Sequence, residues 1–70
     1  MIIKWTGDTT LTVHESETDE EGTLETLKMG TTSEIDIFDD DSKTGNVAIQ
    51  FGDGSVAFGI HKEWYTVIKE

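Results

Sequence analysis

Carboxylates are the most numerous groups in this sequence that could bind a partner, and most of them fall into two stretches. Residues 15–21 read ESETDEE, and residues 34–41 read EIDIFDDD. Two such stretches on one surface would attract a basic partner, mainly by raising its association rate and its specificity. Runs of like charge are more often solvated, mobile loops, which is the alternative. The residues that we predict to contact a partner are Glu15, Glu17, Asp19, Glu20, Glu21, Asp36, Phe38, Asp39, Asp40, Asp41 and Tyr65.

The second stretch is also rich in oxygen atoms of the kind that hold metal ions. Its four aspartates are followed by Ser42, Thr44 and Asn46. Calcium loops alternate their ligands along the chain and use a glycine to force the turn. Here residues 39–41 are consecutive acids whose side chains point in different directions, so we predict no metal and no cofactor. A metal-binding or small-ligand-binding domain that uses residues 36–41 remains the alternative function.

Histidines and aromatic residues are the other candidates for chemistry. Neither His14 nor His61 has a nucleophile or a third partner beside it in the sequence, so we interpret both as ordinary surface or strand-end residues. A group of aromatic residues could form a platform on which a ligand stacks, or could instead fill the core of a small domain. This group is Trp5, Phe38, Trp64 and Tyr65. Its last two members are adjacent, and only one of two neighbours in a regular strand points inward.

The charge balance limits the class of partner. Fifteen acidic residues stand against five lysines and no arginine, which gives a net charge of −10. Nucleic acids and anionic membranes are bound largely through basic side chains, so we expect neither as a ligand. The sequence has no nucleophile elbow, phosphate loop or zinc-binding spacing, and we predict that the protein is not an enzyme.

Length and composition predict one small, soluble domain that spans residues 1–70. The chain has no cysteine, which fits a cytoplasmic protein. It has no apolar run near the ~20 residues that a membrane span requires. The first residues, MIIKWTGDTT, lack the apolar core of a signal peptide, so we expect a complete cytoplasmic protein.

Alternation of apolar and polar residues predicts an all-β fold. Residues 22–30 fit a bent strand or, alternatively, a single helical turn. Residues 61–64 are too few for an α-helix and suit one 3₁₀ turn. Four further strands are expected at residues 1–5, 9–14, 33–39 and 65–68. In the strand at residues 33–39, Ile35 and Ile37 are expected to point inward.

A β-hairpin at residues 45–60 is the best-defined element, because two signals agree on its register. Asp53-Gly54 is a dipeptide typical of a two-residue type I′ turn. With these residues at the centre of the turn, the large apolar side chains of both strands fall on one face. The resulting apolar pairs are Phe51 with Val56, Ile49 with Phe58, and Val47 with Ile60.

Seven short motifs follow one another in a recognisable order. They are Leu11-Thr12-Val13, the loop 15–21, Gly22-Thr23-Leu24, Lys28-Met29-Gly30, Ile35-Asp36-Ile37, Asp53-Gly54 and Trp64-Tyr65. This succession resembles SH3-like barrels, and more narrowly the bacterial SH3 (SH3b) domains. The resemblance implies a small five- to six-stranded barrel with one 3₁₀ turn near the C-terminus.

The usual ligands of that family are not implied by the residues present. Asn46-Val47 stands where bacterial SH3 domains usually carry Trp-Tyr, and the chain has no proline. We therefore predict a small acidic protein-binding module that engages a basic protein surface, in one version as an inhibitor that mimics nucleic acid. A structural or assembly module, in which an edge strand pairs with another chain, is a further alternative.

Overall fold

The computed structural model describes residues 1–16, 18–41 and 43–70, which form seven β-strands and one 3₁₀ turn. The all-β prediction is confirmed, with seven strands in place of five or six, and residues 22–30 contain a strand and no helical turn. The 3₁₀ turn (Lys62–Trp64) precedes the last strand, as predicted. The strands are β1 (Ile2–Trp5), β2 (Thr9–Val13), β3 (Thr23–Leu27), β4 (Thr32–Asp41), β5 (Asn46–Phe51), β6 (Val56–His61) and β7 (Tyr65–Lys69).

The strands are arranged in a five-stranded sheet, in the order β6-β5-β4-β1-β7, and a separate β2-β3 hairpin. The ten-residue β4 joins the two halves of the large sheet, because its first residues pair with β1 and the rest with β5. The hairpin meets the large sheet at His14, whose backbone exchanges two hydrogen bonds of 2.8 Å with Val56. Among the described residues this pairing does not close the sheets into a barrel. No helix within them has the length and apolar character that a membrane crossing requires.

One apolar core is built from both sheets. Trp5 is fully buried, and its Nε1 donates a 2.9 Å hydrogen bond to Ser33 Oγ, so the polar edge of the indole is satisfied inside the protein. Ile35 is buried and Ile37 packs against the core, as the alternation predicted. The buried core residues are Ile3, Trp5, Leu11, Ile35, Val47, Ile49, Ala57, Ile60 and Tyr65.

The turn of the β5–β6 hairpin differs from its prediction. Phe51 N donates to Ser55 O at 2.8 Å, and Gly54 N donates to Phe51 O at 3.0 Å, so the loop has three residues. A type I′ turn needs positive φ at both central positions, but Asp53 does not adopt it, whereas Gly54 does, at +95°. Asp53 Oδ1 instead accepts the Ser55 hydroxyl at 2.6 Å and the Ser55 amide at 3.0 Å. These bonds stabilise the longer loop and lower the pKa of Asp53.

The longer loop moves the register near the turn by one residue. Ile49 faces Ala57 instead of Phe58, so Ala57 enters the core. An extra residue in β6 then restores the predicted pair of Val47 with Ile60. The prediction was therefore right at the open end of the hairpin and wrong at its turn.

Candidate protein-interaction surface

Two β-bulges, one in β4 and one in β6, flank a small residue of β5, Ala48. In β4, Phe38 is the extra residue before Asp39, which pairs with Ala48. In β6, the register shifts at the same level, so that Phe58 and Gly59 both lie opposite Ala48. Gly59 has a φ of +68°, which glycine adopts without steric strain and which is typical of bulges.

The bulges bring two phenylalanine side chains together on the outer surface. Phe38 is 42% exposed and Phe58 is 48% exposed. Their rings meet edge to face, with centroids 5.9 Å apart, which is a favoured aromatic geometry. The His14 ring extends the group, with its centroid 5.6 Å from that of Phe58. We call His14, Phe38 and Phe58 the aromatic patch.

Two small apolar residues are buried on this side of the sheet. Ala48 and Val56 are buried, yet neither belongs to the main core cluster. Val56 lines a groove with Phe38, and Ala48 lines a second one with Phe58. The aromatic patch therefore lies over two buried residues of its own, Ala48 and Val56, which are separate from the core on the other face.

The acidic loop 15–21 borders the aromatic patch. Ser16 and Thr18 line a groove of about 490 Å³ together with Phe38, Gln50 and Val56. The structure thus places the loop beside a predicted contact residue that is 20 positions away from Thr18 in sequence (38 − 18). Of the predicted acids in the loop, Glu15, Glu20 and Glu21 are exposed, Asp19 is half-buried, and Glu17 lies outside the described residues.

Asp19 gives the loop its shape. Its carboxylate accepts hydrogen bonds from the backbone amides of Glu15 at 3.0 Å, Glu21 at 3.2 Å and Gly22 at 3.4 Å. These bonds, led by the one from Glu15, lower the pKa of Asp19, and nearby His14 adds to the effect. Asp19 therefore organises the other carboxylates of the loop in addition to carrying charge itself.

Gly22 closes the loop against the aromatic patch. It has a φ of +68°, and a Cβ atom at this position would lie 2.5 Å from Thr12 Cγ2 and 2.9 Å from His14 Nδ1. The same His14 Nδ1 is buried and has no hydrogen-bond partner among the described residues. Only glycine fits both the backbone conformation and the space, so this residue fixes how closely the loop approaches His14.

Asp39, Asp40 and Asp41 lie toward the other end of β5, whereas Asp36 lies near the end that the loop approaches. Asp39 and Asp41 line a cleft of about 280 Å³ together with Phe58 and Gly59. Asp36 pairs with Gln50 and is exposed. The loop thus approaches the aromatic patch near one end of β5, and Asp39 and Asp41 border the patch toward the other end.

Asp40 differs from its neighbours because it forms an ion pair. Its Oδ1 lies 2.9 Å from Lys62 Nζ, and both side chains are about half exposed. The hydrogen bond from Lys62 to Asp40 raises the pKa of the lysine. Asp40 therefore ties β4 to the 3₁₀ turn, and the positive charge of Lys62 offsets the negative charge of Asp40 at close range.

Tyr65 does not belong to this surface, which corrects its predicted role. It begins β7 and pairs with Trp5, so it faces the core as Trp5 does. The two rings meet edge to face at 6.2 Å, and burial raises the pKa of the Tyr65 hydroxyl. Trp64, at the end of the 3₁₀ turn, is the exposed member of the adjacent pair, with 39% of its surface accessible. Of the four aromatic platform candidates, Trp5 and Tyr65 are core residues.

The four aspartates of β4 do not form a metal-binding cluster among the described residues. Within residues 1–16, 18–41 and 43–70, no group of three or more His, Cys, Asp and Glu side chains could hold a metal ion. Strand geometry, the bulge at Phe38 and the Asp40–Lys62 pair send neighbouring carboxylates in different directions. Ser42, one of the oxygen donors of the metal hypothesis, lies outside the described residues.

Two members of the aromatic patch were not among the predicted contact residues. Phe58 was expected to face the core opposite Ile49, and His14 was interpreted as an ordinary strand-end residue. One sequence signal pointed to the surface position of Phe58, since a glycine inside a strand, here Gly59, often marks a bulge. No sequence signal connected His14 to Phe58.

Compared with protein-family models, curated proteins and solved structures, the chain has no significant match.

Proposed function

We propose that this chain is a small acidic protein-binding module that engages a basic surface of a partner protein. The observation that supports the proposal is the position of the two acidic stretches. Loop 15–21 reaches the exposed aromatic patch through Ser16 and Thr18, and β4 reaches it through Asp39 and Asp41. Exposed aromatic side chains in a rim of charge are typical of protein-binding surfaces.

Charge selects the partner. With a net charge of −10, the protein repels anions and steers cationic surfaces toward itself. Carboxylates at the edge of a binding site act mainly on association rate and specificity, while buried aromatic contacts supply most of the affinity. The patch and the acids thus have complementary roles in one site.

The proposed fold is an SH3-like barrel. Support comes from the order of the elements: β2, the acidic loop, β3 after Gly22, the turn at Lys28, β4, the β5–β6 hairpin, the 3₁₀ turn and β7. This is the succession on which the resemblance to bacterial SH3 domains rests. The proposed interaction site does not use a polyproline groove.

A narrower version of the proposal is a mimic of nucleic acid, in which the carboxylates take the places of phosphates on a DNA- or RNA-binding partner. Competition distinguishes this version from the general one. Double-stranded DNA or RNA should displace the captured partner from the protein if the carboxylates occupy a nucleic-acid site. A partner that binds nucleic acid and the protein simultaneously would exclude mimicry and leave the general proposal intact.

Affinity capture with matched variants tests the proposal. The immobilised wild-type protein and the triple variant Asp36→Asn/Asp39→Asn/Asp41→Asn are exposed to lysate of the source cells, and bound proteins are identified by mass spectrometry. We expect basic partners on the wild type, released as NaCl rises from ~50 to ~500 mM because the ion atmosphere screens the carboxylates. The triple variant should retain at least about tenfold less of them.

The matched control removes three charges elsewhere, with Glu25→Gln, Glu63→Gln and Glu70→Gln. These residues are exposed, and they line neither the groove beside Phe38 nor the cleft in which Phe58 lies with Asp39 and Asp41. The control should capture partners nearly as well as the wild type. Equal loss in both triple variants would show that net charge alone governs capture, and would overturn the proposed site.

A further inference from the structure

We infer that Phe58, whose ring packs against Phe38, anchors an arginine side chain of the partner, with Asp39 and Asp41 receiving its guanidinium group. The assignment rests on the proposed function and names the chemical group that the surface recognises. It comes from the two bulges, from the residues of the cleft beside Phe58, and from the two carboxylates there that form no ion pair with the described residues.

The bulge in β6 exposes a residue that burial would otherwise favour inside. It leaves Ala57 opposite Ile49 in the core and Phe58 on the surface. In β4, alternation after Ile37 already places Phe38 outside, and the bulge at the same level of the sheet sets Asp39 opposite Ala48. Hydrophobic burial favours the larger side chain inside, so fold stability does not account for two exposed phenylalanines in contact. Bulges commonly re-aim side chains beside functional sites.

The cleft beside Phe58 has two chemically different sides. Phe58 and Gly59 supply an aromatic ring and a residue without a side chain. Asp39 and Asp41 supply carboxylates, and the cleft has a volume of about 280 Å³. A single long side chain with a flat cationic end matches these two sides, because its apolar stem contacts the ring while its head reaches the carboxylates.

The carboxylates of the cleft have capacity for a partner. Asp39 makes no side-chain hydrogen bond or ion pair with the described residues, and Asp41 uses one oxygen to accept the Lys43 amide at 3.0 Å. Lys62, which also lies at this end of the sheet, forms its ion pair with Asp40 and not with Asp39 or Asp41. The aspartates at 39–41 carry three negative charges, against the two positive charges of Lys43 and Lys62. This end of the sheet therefore remains negative.

Arginine fits this arrangement better than lysine. The guanidinium group is planar, stacks on aromatic rings and donates paired hydrogen bonds to carboxylates. The lysine ammonium is a compact, strongly hydrated charge that gains less from a ring. The surface should therefore discriminate between two peptides of equal charge.

Titration of the ¹⁵N-labelled full chain with three peptides tests this assignment. The probes are acetyl-Gly-Gly-Arg-Gly-Gly-amide and its twins with lysine or with uncharged citrulline. We expect the arginine peptide to shift the amide signals of Phe38, Ala48, Phe58 and Gly59. It should bind about five- to tenfold more tightly than the lysine peptide, and the citrulline peptide should bind least.

Two variants separate the ring from the acids. Phe58→Ala should weaken arginine binding about fivefold or more and reduce the preference over lysine, while Met29→Ala, at another exposed apolar residue, should leave both unchanged. Equal binding of arginine and lysine peptides, or no effect of Phe58→Ala, would overturn the assignment of arginine. Capture of basic partners that still depends on the β4 acids would then leave the proposed function standing. Equal binding of the citrulline peptide would contradict the role of charge in the cleft.

Discussion

The two faces of the sheet formed by β4, β5 and β6 differ in which side chains they expose. On the inner face, Ile35, Ile49 and Ile60 are at most 1% exposed and form the core with Trp5. On the outer face, Phe38 and Phe58 are larger, yet each leaves more than two fifths of its surface accessible. The fold is therefore held by aliphatic residues together with Trp5 and Tyr65, and the two phenylalanines are available for binding.

Removing the largest core residue should have the greatest effect on the inner face. Trp5→Ala creates a cavity and leaves Ser33 without its indole partner, and should lower the free energy of unfolding by about 3–5 kcal/mol. A domain of this size has a total stability of roughly 4–10 kcal/mol, so the variant should be largely unfolded on mild heating. Chemical denaturation followed by circular dichroism measures the change. A loss below about 1 kcal/mol would contradict the assignment of Trp5 to the core.

Gly22 and Gly59, two glycines with positive φ at the edge of the aromatic patch, should differ in how much stability is lost when each is replaced by alanine. Gly22→Ala combines left-handed strain with a clash at Thr12 and His14, and should lower the free energy of unfolding by about 2–4 kcal/mol. Gly59→Ala has the same φ but nothing within 4 Å, so only the backbone strain of about 1–2 kcal/mol should remain. Equal losses for the two variants, measured by denaturation, would show that Gly22 is not packed against His14.

Removing a ring of the aromatic patch should have a small effect on stability. Phe58→Ala or Phe38→Ala removes a half-exposed side chain, and should lower the free energy of unfolding by about 1 kcal/mol or less. Thermal unfolding beside the Trp5→Ala variant measures the contrast between the two faces. A loss as large as that of Trp5→Ala would mean that the outer rings support the fold.

The smallest effect concerns pH and the acidic loop. The pKa of Asp19 is lower in the folded protein than in the unfolded protein. At pH values between these two pKa values, the unfolded loop therefore binds more protons than the folded loop. The contribution of Asp19 is complete above its ordinary pKa of about 3.9 and is lost as pH falls through the lowered value. The amide signals of Glu15 and Glu21 should therefore stay constant from about pH 7 to pH 5 and shift only below about pH 4. Asp19→Asn should abolish this transition, and its persistence in that variant would assign it to another carboxylate.

Much of the inner face could be predicted from the sequence, because alternation is a local signal. Ile35, Ile37 and the β1 strand were placed correctly, and so was the pair of Val47 with Ile60. The 3₁₀ turn followed from its length. These features depend on neighbours in the chain and on the two-residue period of a strand.

The outer face could be predicted only in part, because bulges insert a residue that breaks this period. Phe38 was placed on the surface, but its contact with Phe58 depends on two register shifts at the same level of the sheet. The hairpin turn also differed, since Asp53 is held by its bonds to Ser55 outside the type I′ conformation. Tyr65 was placed outside because the sequence shows that only one of the adjacent residues Trp64 and Tyr65 points inward, and does not tell which one.

The most direct test of the difference between the faces measures stability and capture on one double variant, Phe38→Ala/Phe58→Ala. Capture of basic partners should fall at least about tenfold, whereas the free energy of unfolding should fall by no more than about 2 kcal/mol. The far-ultraviolet circular dichroism at room temperature should match that of the wild type. Undiminished capture by the folded double variant would contradict the assignment of the outer aromatic surface to partner binding.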